Sequence, residues 1–297
     1  MRLSARVPAT SANLGPGFDC FGLALDLCNE VTVDTDAEPG VGWEGEGADE
    51  LPTDGSDLVS RAMCWVAERA GQELGPFQLH GLNRIPLERG LGSSAAAAVA
   101  GVAIARAWLR LADRDDREIV FRAAADIERH PDNAAAATYG GLTVVADGSV
   151  RRFDVAPGIR PVVLVPEHLR MPTEEARRVL PSQVRLSDAV RNVAHGALVI
   201  SALVSGDFDL LRVGLRDRLH QDVRLSLVPE VREVFERLAS QGVPVCVSGA
   251  GPSLLGFEDE RHPTPHPGGG WRLLRLASRV TGIEVQQGAG ETTTPDL

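Results

Sequence analysis

A glycine-rich loop that runs into an alanine-rich segment is the feature that most constrains the fold of this chain. Residues 87–100 read LERGLGSSAAAAVA, with Gly90 and Gly92 followed directly by Ser93 and Ser94. Glycine permits tight turns, serine is a favoured helix N-cap and alanine is the strongest helix former. The segment therefore predicts a tight loop that opens a buried helix. The N-terminus of such a helix favours an anion such as phosphate; a plain turn before a core helix is the alternative.

The chain contains no lysine, since all thirty of its Lys and Arg residues are arginine. This excludes the P-loop lysine, the strand lysine of protein kinases and any Schiff-base mechanism. If phosphate is bound, backbone amides, arginines and a metal ion must bind it. The serine hydroxyls at the loop could reach a divalent cation that bridges phosphates.

Composition narrows the class of partner. The 297 residues allow one large domain or two packed ones, and the net charge of −11 disfavours duplex nucleic acid as a partner. Four cysteines without a CxxC pair argue against a disulfide framework or a zinc site. No charged-then-apolar leader and no apolar run of about 20 residues is present. We expect a soluble cytoplasmic protein that binds neither nucleic acid nor a membrane.

The order of hydrophobic patterns predicts the α+β class, with strands and helices mixed, then helices, then strands. A soft boundary near residue 155 divides the chain into a first domain (1–155), which holds the loop at 86–98, and a second (156–287), followed by a flexible tail (288–297). The main predicted strands are 2–9, 30–36, 77–82, 161–165, 243–248, 253–257 and 283–287, with a hairpin at 142–155. The predicted helices are 57–74, 93–111, 117–129, a short one within 134–141, 173–180, 187–205, 207–219, 229–241 and 271–282.

Three stretches resemble the three motifs of the GHMP small-molecule kinases. They are PATSANLGPGFD (8–19), PLERGLGSSAAAA (86–98) and VSGAGPSLLGF (247–257). Three further stretches resemble the homoserine kinase branch of that family: IERHPDNAAAATYGG (127–141), TEEARRVLP (173–181) and RDRLHQDVRLSLVP (216–229). The resemblance implies a GHMP kinase fold, with an N-terminal domain like ribosomal protein S5 domain 2 and a ferredoxin-like C-terminal domain.

The same resemblance implies an activity and its ligands. The expected reaction is phosphorylation of the side-chain hydroxyl of L-homoserine by ATP and Mg²⁺, a step of threonine biosynthesis, in a protein that is commonly a homodimer. Two rivals remain: a GHMP kinase acting on another small alcohol, and a non-catalytic regulator that keeps the fold and binds a ligand.

The resemblance assigns the nucleotide and the metal ion to one region. Ser94 and Glu128 are the implied Mg²⁺ ligands, with Ser93 as the alternative serine. On its own, Glu128 is more simply explained as a solvated glutamate at a helix end. The implied nucleotide-binding residues are Pro86, Leu87, Glu88, Arg89, Gly90, Leu91, Gly92, Ser93, Ser94, Ala95 and Ala96.

The resemblance assigns the amino-acid substrate to a second group of residues. A zwitterion needs an anion for its ammonium group, for which Asp19 is suited, and cations for its carboxylate, for which Arg177 and Arg224 are suited. Asn13 is expected to orient the reacting hydroxyl, and Thr173 to add a hydrogen bond. Without the resemblance, each arginine would be read as a surface charge.

The roles of two residues stay open at this point. Asp132 and Asn133 lie in a family motif, but helix capping explains them equally well.

We expect catalysis without a dedicated strong base, since phosphoryl transfer demands mainly positioning and charge neutralisation. Asn13, Ser94 and Glu128 are the expected catalytic residues.

Overall fold

Two β-sheets organise the chain in the computed structural model, which describes residues 1–111 and 116–288. The first sheet has the strand order β11-β1-β2-β4-β3, with β5 paired to β2 and β6 paired to β5; the second has the order β10-β7-β9-β8. The strands are β1 (Arg2–Ala12), β2 (Phe21–Asp34), β3 (Gly40–Gly45), β4 (Gln78–Asn83), β5 (Leu142–Ala146), β6 (Ser149–Phe153), β7 (Arg160–Pro166), β8 (Val245–Val247), β9 (Leu254–Glu258), β10 (Trp271–Arg275) and β11 (Glu284–Gly288).

Helices cover these sheets, and the predicted α+β class is confirmed. None of the helices within the described ranges is both long and apolar enough to cross a bilayer. The helices are α1 (Leu58–Ala70), α2 (Ser93–Trp108), α3 (Asp116–Glu128), α4 (Pro131–Tyr139), α5 (Thr173–Arg178), α6 (Leu186–Ser205), α7 (Phe208–Gly214), α8 (Gln221–Ser226) and α9 (Pro229–Ser240).

Helix α2 is the buried centre of the first half, as its alanine-rich sequence predicts. Its small side chains let α1 approach closely. A Cβ placed at Gly101 would lie 2.4 Å from the carbonyl oxygen of Val59, so the contact requires glycine. This packing fixes the N-terminal end of α2, where Ser93 begins the helix.

One hydrophobic core joins residues from both sides of the predicted boundary near residue 155. Val7 and Val99 from the first half pack in the same cluster as Val163 and Phe257 from the second. The boundary itself falls in the loop between β6 and β7. The division into two domains stays a prediction, and the shared core holds the loops of both halves in a fixed relation.

The end of the chain returns to the first sheet. Strand β11 pairs antiparallel with β1, and Gly288 lies opposite Arg2. Residues 284–287, which the sequence places in the second domain, therefore complete the first sheet, and Gly288 ends a strand instead of opening the tail. The rest of the predicted tail, 289–297, lies outside the described residues.

Two predicted helices are corrected. The segment 271–282 begins as strand β10, which pairs with β7 so that Trp271 lies opposite Pro166. Its apolar residues fit either period, and the exposed edge of β7 decides the outcome. The helix predicted over 207–219 ends at Gly214. A loop follows, and then a short helix, α8, in a segment where the sequence pattern predicts none.

Candidate active site

The N-terminus of α2 is open to an anion. The cap residue is Gly92, in the left-handed conformation with φ 68°, and no side chain in the described part of the chain caps the first turn. The serines are thus the first helical residues, although serine is the residue usually found at the cap. The amides of a helix's first turn have no partner within the helix. Ser93, Ser94 and Ala95 all line a cavity of about 330 Å³ at this point.

Three loops interlock around that helix start, and glycine makes the contacts possible. A Cβ at Gly90 would lie 2.1 Å from the carbonyl oxygen of Ser248, and one at Gly92 would lie 1.9 Å from the hydroxyl of Thr10. The Ser248 hydroxyl donates to the Gly90 carbonyl at 2.7 Å. The three sequence stretches that carry the family resemblance therefore meet in space.

Ser94 and Glu128 face each other at the edge of this cavity. The Ser94 hydroxyl donates to Oε1 of Glu128 at 2.7 Å. Burial raises the pKa of Glu128, while the Ser94 hydrogen bond and the charge of Arg61 act in the opposite direction. Within the described residues no cluster of three or more His, Cys, Asp or Glu side chains could hold a metal ion. One carboxylate with one hydroxyl suits Mg²⁺, which usually keeps waters and substrate phosphates as its other ligands.

Asp19 and Arg177, which are predicted to bind the ammonium group and the carboxylate of the substrate, lie beside each other. Arg177 donates two hydrogen bonds to the carboxylate of Asp19, at 2.6 and 3.1 Å. Its Nε donates to Nε2 of His130 at 2.9 Å. Burial and the Arg177 charge lower the pKa of His130, so the ring stays neutral and can accept that bond.

Arg224 is buried against the glycine turn at 249–251. It donates to the Gly249 carbonyl at 2.8 Å and to Nδ1 of His220 at 3.1 Å. Its Nε has no hydrogen-bond partner within the described residues. Burial lowers its pKa to about 10, which leaves it charged at neutral pH. The ring of Phe18 lies 5.4 Å from this guanidinium and 5.7 Å from that of Arg177, within the range of cation–π attraction.

Asn13 ties two walls of the cavity together. Its amide donates to the Gly249 carbonyl at 2.8 Å, and its carbonyl oxygen accepts from the backbone N–H of Asp19 at 2.9 Å. The residue has φ 70°, a conformation that asparagine tolerates better than most residues. Its predicted contact with the reacting hydroxyl stays a prediction. Thr173, the first residue of α5, also lines the cavity.

Comparison with known proteins decides the family. Residues 57–141 match the N-terminal domain of GHMP kinases, and residues 199–264 match the C-terminal domain. The chain is 41% identical over 304 residues to the homoserine kinase of Clavibacter michiganensis subsp. michiganensis, covering 96% of this chain and 94% of the relative. It is 43% identical over 312 residues to that of Leifsonia xyli subsp. xyli, covering 98% and 96%. The chain belongs to the homoserine kinase family.

Solved structures agree with this placement. The crystal structure of homoserine kinase from Cytophaga hutchinsonii superposes with a TM-score of 0.82 at 26% identity, covering 96% of this chain and 97% of that one. Mevalonate kinase from Methanococcus jannaschii, at 13% identity, gives a TM-score of 0.64 over 93% and 98% of the two chains, which shows the shared fold. The predicted GHMP kinase fold is confirmed.

Not every residue predicted to bind nucleotide lines the cavity of this homoserine kinase family member. Leu87 packs its side chain toward Gly47, and Ala96 lies buried within α2. The remaining predicted residues between Pro86 and Ala95 all line it. Arg89 lies at its edge, but it donates to the carbonyls of Leu87, Pro166 and Glu167. Those bonds favour a role in anchoring the loop to β7 over one in binding phosphate.

Three residues of the HPDN segment, His130, Asp132 and Asn133, line the cavity without an assigned role. His130 precedes α4 as its cap residue, so neither Asp132 nor Asn133 is the N-cap. Asp132 is 2% exposed and accepts from the Asn133 N–H at 2.8 Å. Burial above all, with the charge of Asp19, raises its pKa to about 6. The sequence signal that indicates these residues is Pro131. A proline that ends α3 places the polar residues around it at the junction of two helices.

Proposed function

We propose that this protein transfers the γ-phosphoryl group of ATP to the side-chain hydroxyl of L-homoserine, forming O-phospho-L-homoserine. One observation carries the proposal. A single cavity joins an uncapped helix N-terminus, suited to phosphates, with a paired acid and base suited to an amino acid. The names and identities of the relatives support the same reaction.

The nucleotide end of the cavity would work without an ammonium side chain. The first-turn amides of α2 supply N–H donors, and the helix dipole favours the negative charge of the phosphates. Ser94 and Glu128 supply the oxygen atoms that would hold Mg²⁺. When bound, the ion neutralises charge on the phosphates during transfer.

The other end would hold the zwitterion. The Asp19 carboxylate takes the ammonium group, while Arg177 and Arg224 take the carboxylate. The ring of Phe18 lies within cation–π distance of both arginines. Asn13 and Thr173 complete the wall from which the hydroxyl is presented to the γ-phosphate. Since no lysine is available, we assign the hydroxyl proton to the transferred phosphate or to solvent, late in the reaction.

A substrate panel tests this proposal. The protein is mixed with ATP and Mg²⁺ and then with homoserine, mevalonate or galactose, while ADP release and ³¹P NMR are followed. We expect a phosphate ester with homoserine and none with the other two. Transfer to another alcohol would favour a different GHMP kinase, and ligand binding without ADP release would favour a non-catalytic regulator.

We infer that the protein is a homodimer joined through α6. Leu186 and Val193 of this helix are 80% and 76% exposed, which is unusual for large apolar residues. They belong to a stripe of apolar residues along α6. Successive residues of the stripe lie alternately four and three positions apart, and this spacing reads the same from either end. An antiparallel contact between two copies of the helix requires such a symmetric spacing. The stripe comprises Leu186, Val190, Val193, Ala197, Ile200 and Val204.

Light scattering tests the dimer. We expect the native protein at twice the chain mass and Val193→Glu at the chain mass. Val280→Glu is the matched control, because Val280 is also exposed but lies outside the stripe. A monomeric native protein, or a Val193→Glu variant that stays dimeric, contradicts the inference.

A role in threonine biosynthesis and a cytoplasmic location belong to the same proposal. O-phospho-L-homoserine is the proposed product. Expression of this chain should therefore restore the supply of O-phospho-L-homoserine in a threonine-requiring strain. The cysteines at 20, 28, 64 and 246 carry free thiols, which suits a reducing compartment. Complementation of a homoserine-kinase-deficient bacterium, with fractionation of the expressed protein, tests both points.

A further inference from the structure

A second cavity, of about 590 Å³, lies beside the loop between α7 and α8. Arginines from α6, α7 and that loop line it, together with three aspartates and several apolar side chains. We call it the arginine cavity and define it by Arg191, Arg212, Val213, Leu215, Arg216, Arg218, Phe235 and Val243. None of these residues lines the first cavity.

The charges of the arginine cavity are not balanced within the described residues. Arg212 pairs with Asp209 at 3.4 Å, and Arg218 pairs with Asp222 at 3.7 Å. A third acid, Asp217, is fully buried and accepts backbone N–H groups of its own loop. The described residues that line the cavity thus include four arginines and three aspartates, a surplus of one positive charge, and two of the arginines belong to neither of these ion pairs.

Those two arginines, Arg191 and Arg216, have no carboxylate within ion-pair distance in the described ranges of the chain. Nε of Arg191 is also buried without a hydrogen-bond partner. A buried, unpaired guanidinium nitrogen is costly and is normally satisfied by an acceptor. A guanidinium binds a carboxylate through paired hydrogen bonds, and the apolar side chains of Val213, Leu215 and Phe235 in the lining suit an aliphatic body.

The wall of this cavity is also the support of the proposed substrate loop. A Cβ on Gly15 would lie 2.3 Å from the carbonyl oxygen of Leu215, so the two backbones are in direct contact. His220, in the same segment, donates to the Gly15 carbonyl at 2.8 Å and accepts from Arg224 at 3.1 Å. Gly15 lies between Asn13 and Asp19. Movement of the wall would therefore reach both ends of the substrate site.

We propose that the arginine cavity is a second ligand site, which binds a small aliphatic carboxylate and changes the affinity of the active site for its amino-acid substrate. The carboxylate pairs with Arg191 and Arg216, and the aliphatic body lies on Val213, Leu215 and Phe235. The effect on the substrate rests on the proposed function, but the binding does not. Thermodynamic linkage requires that the two ligands affect each other equally.

Calorimetry with isobutyrate tests the binding, with isobutyramide as the uncharged control. We expect saturable binding of isobutyrate with a Kd of about 1 mM or tighter and none of isobutyramide. The Arg191→Gln/Arg216→Gln double variant should lose the binding, and Arg216→Glu alone should suffice if the double variant fails to fold. Arg232→Gln is the matched control, because Arg232 is an arginine of α9 outside both cavities.

The active site also holds arginines, so a further variant decides which site is seen. Arg177→Gln should keep the isobutyrate signal. If Arg177→Gln abolishes it, or if Arg216→Glu leaves it unchanged, the proposal is overturned. With turnover established, isobutyrate should change the KM for homoserine several-fold in the native protein and not in Arg216→Glu. Binding without any change in KM would overturn the proposed coupling between the two sites. This failure is distinct from a failure of the proposed function, because turnover of homoserine is established first.

Discussion

Arg177 and Asp19 form a two-point ion pair, with nitrogen–oxygen distances of 2.6 and 3.1 Å, at the place where we propose that a zwitterion binds. Each side chain is about one-third exposed to the cavity. In the absence of substrate the two charges satisfy each other. A bound amino acid would offer its ammonium group to Asp19 and its carboxylate to Arg177, so that the number of ion pairs rises.

Removal of this arginine should weaken substrate binding selectively. We expect Arg177→Gln to raise the KM for homoserine by roughly 10- to 100-fold, because a charge-assisted pair to the substrate is lost, with little change in the KM for ATP. Steady-state kinetics with each substrate varied in turn give both values. Arg178→Gln is the matched control, since the next residue of α5 is an exposed arginine paired with Glu174. Equal effects of the two substitutions would count against the assignment.

Loss of the Glu128 carboxylate should impair metal-dependent turnover. We expect Glu128→Gln to lower kcat by about 100-fold or more, as removal of one electrostatic stabiliser does elsewhere, and to raise the Mg²⁺ concentration needed for half-maximal rate. Titration of the rate with Mg²⁺ measures both effects. Asp126→Asn, in an exposed acid on the same helix, is the control. Full turnover by Glu128→Gln at saturating Mg²⁺ would exclude the metal role.

Asp132 should make the fold sensitive to pH. Its pKa is raised from 3.8 to about 6, so the folded protein favours the protonated form. The stabilising contribution is therefore fully present below about pH 4 and is lost as the pH rises through 6. Near pH 8 the ionised group costs about 3 kcal/mol of unfolding free energy. We expect Asp132→Asn to raise Tm near pH 8 and not near pH 4, as measured by thermal unfolding. A gain of equal size at both pH values would show that ionisation is not the cause.

Gly90 should not tolerate even one added carbon. Its φ is 68°, and a Cβ would meet the Ser248 carbonyl oxygen at 2.1 Å. We expect Gly90→Ala to cost roughly 1–3 kcal/mol of stability and to raise the KM for ATP, because the loop would move away from α2. Urea denaturation and kinetics measure the two effects. Gly75→Ala, at a loop position with open space around it, should be neutral in both.

Much of this arrangement could be read from the sequence, because local patterns and the global fold agree there. The apolar period of α1 predicts this helix, and Ser56 and Asp57 are both suited to cap it; Asp57 does so, since it accepts from the Ser60 N–H at 2.9 Å. The alanine run of α2 predicts a buried helix, which the structure has over Ser93–Trp108. The motif residues Asn13, Ser94 and Glu128 come together because each stands at the end of a strand or a helix.

The rest depended on contacts that no local pattern encodes. Strand β10 forms because β7 offers an edge, although WRLLRL also fits a helix. The loop after α7 is held by Asp217, which accepts backbone N–H groups from Leu219, His220 and Gln221. Arg89 turns away from the phosphate loop because carbonyls at the end of β7 lie within its reach.

The most direct test is a crystal structure with a non-hydrolysable ATP analogue, Mg²⁺ and homoserine. We predict that the phosphates lie at the first turn of α2, that Ser94 and Glu128 bind the ion, and that the homoserine carboxylate lies on Arg177 and Arg224. Phosphates bound away from the Gly90–Ala95 turn, or homoserine bound outside this cavity, would contradict the account.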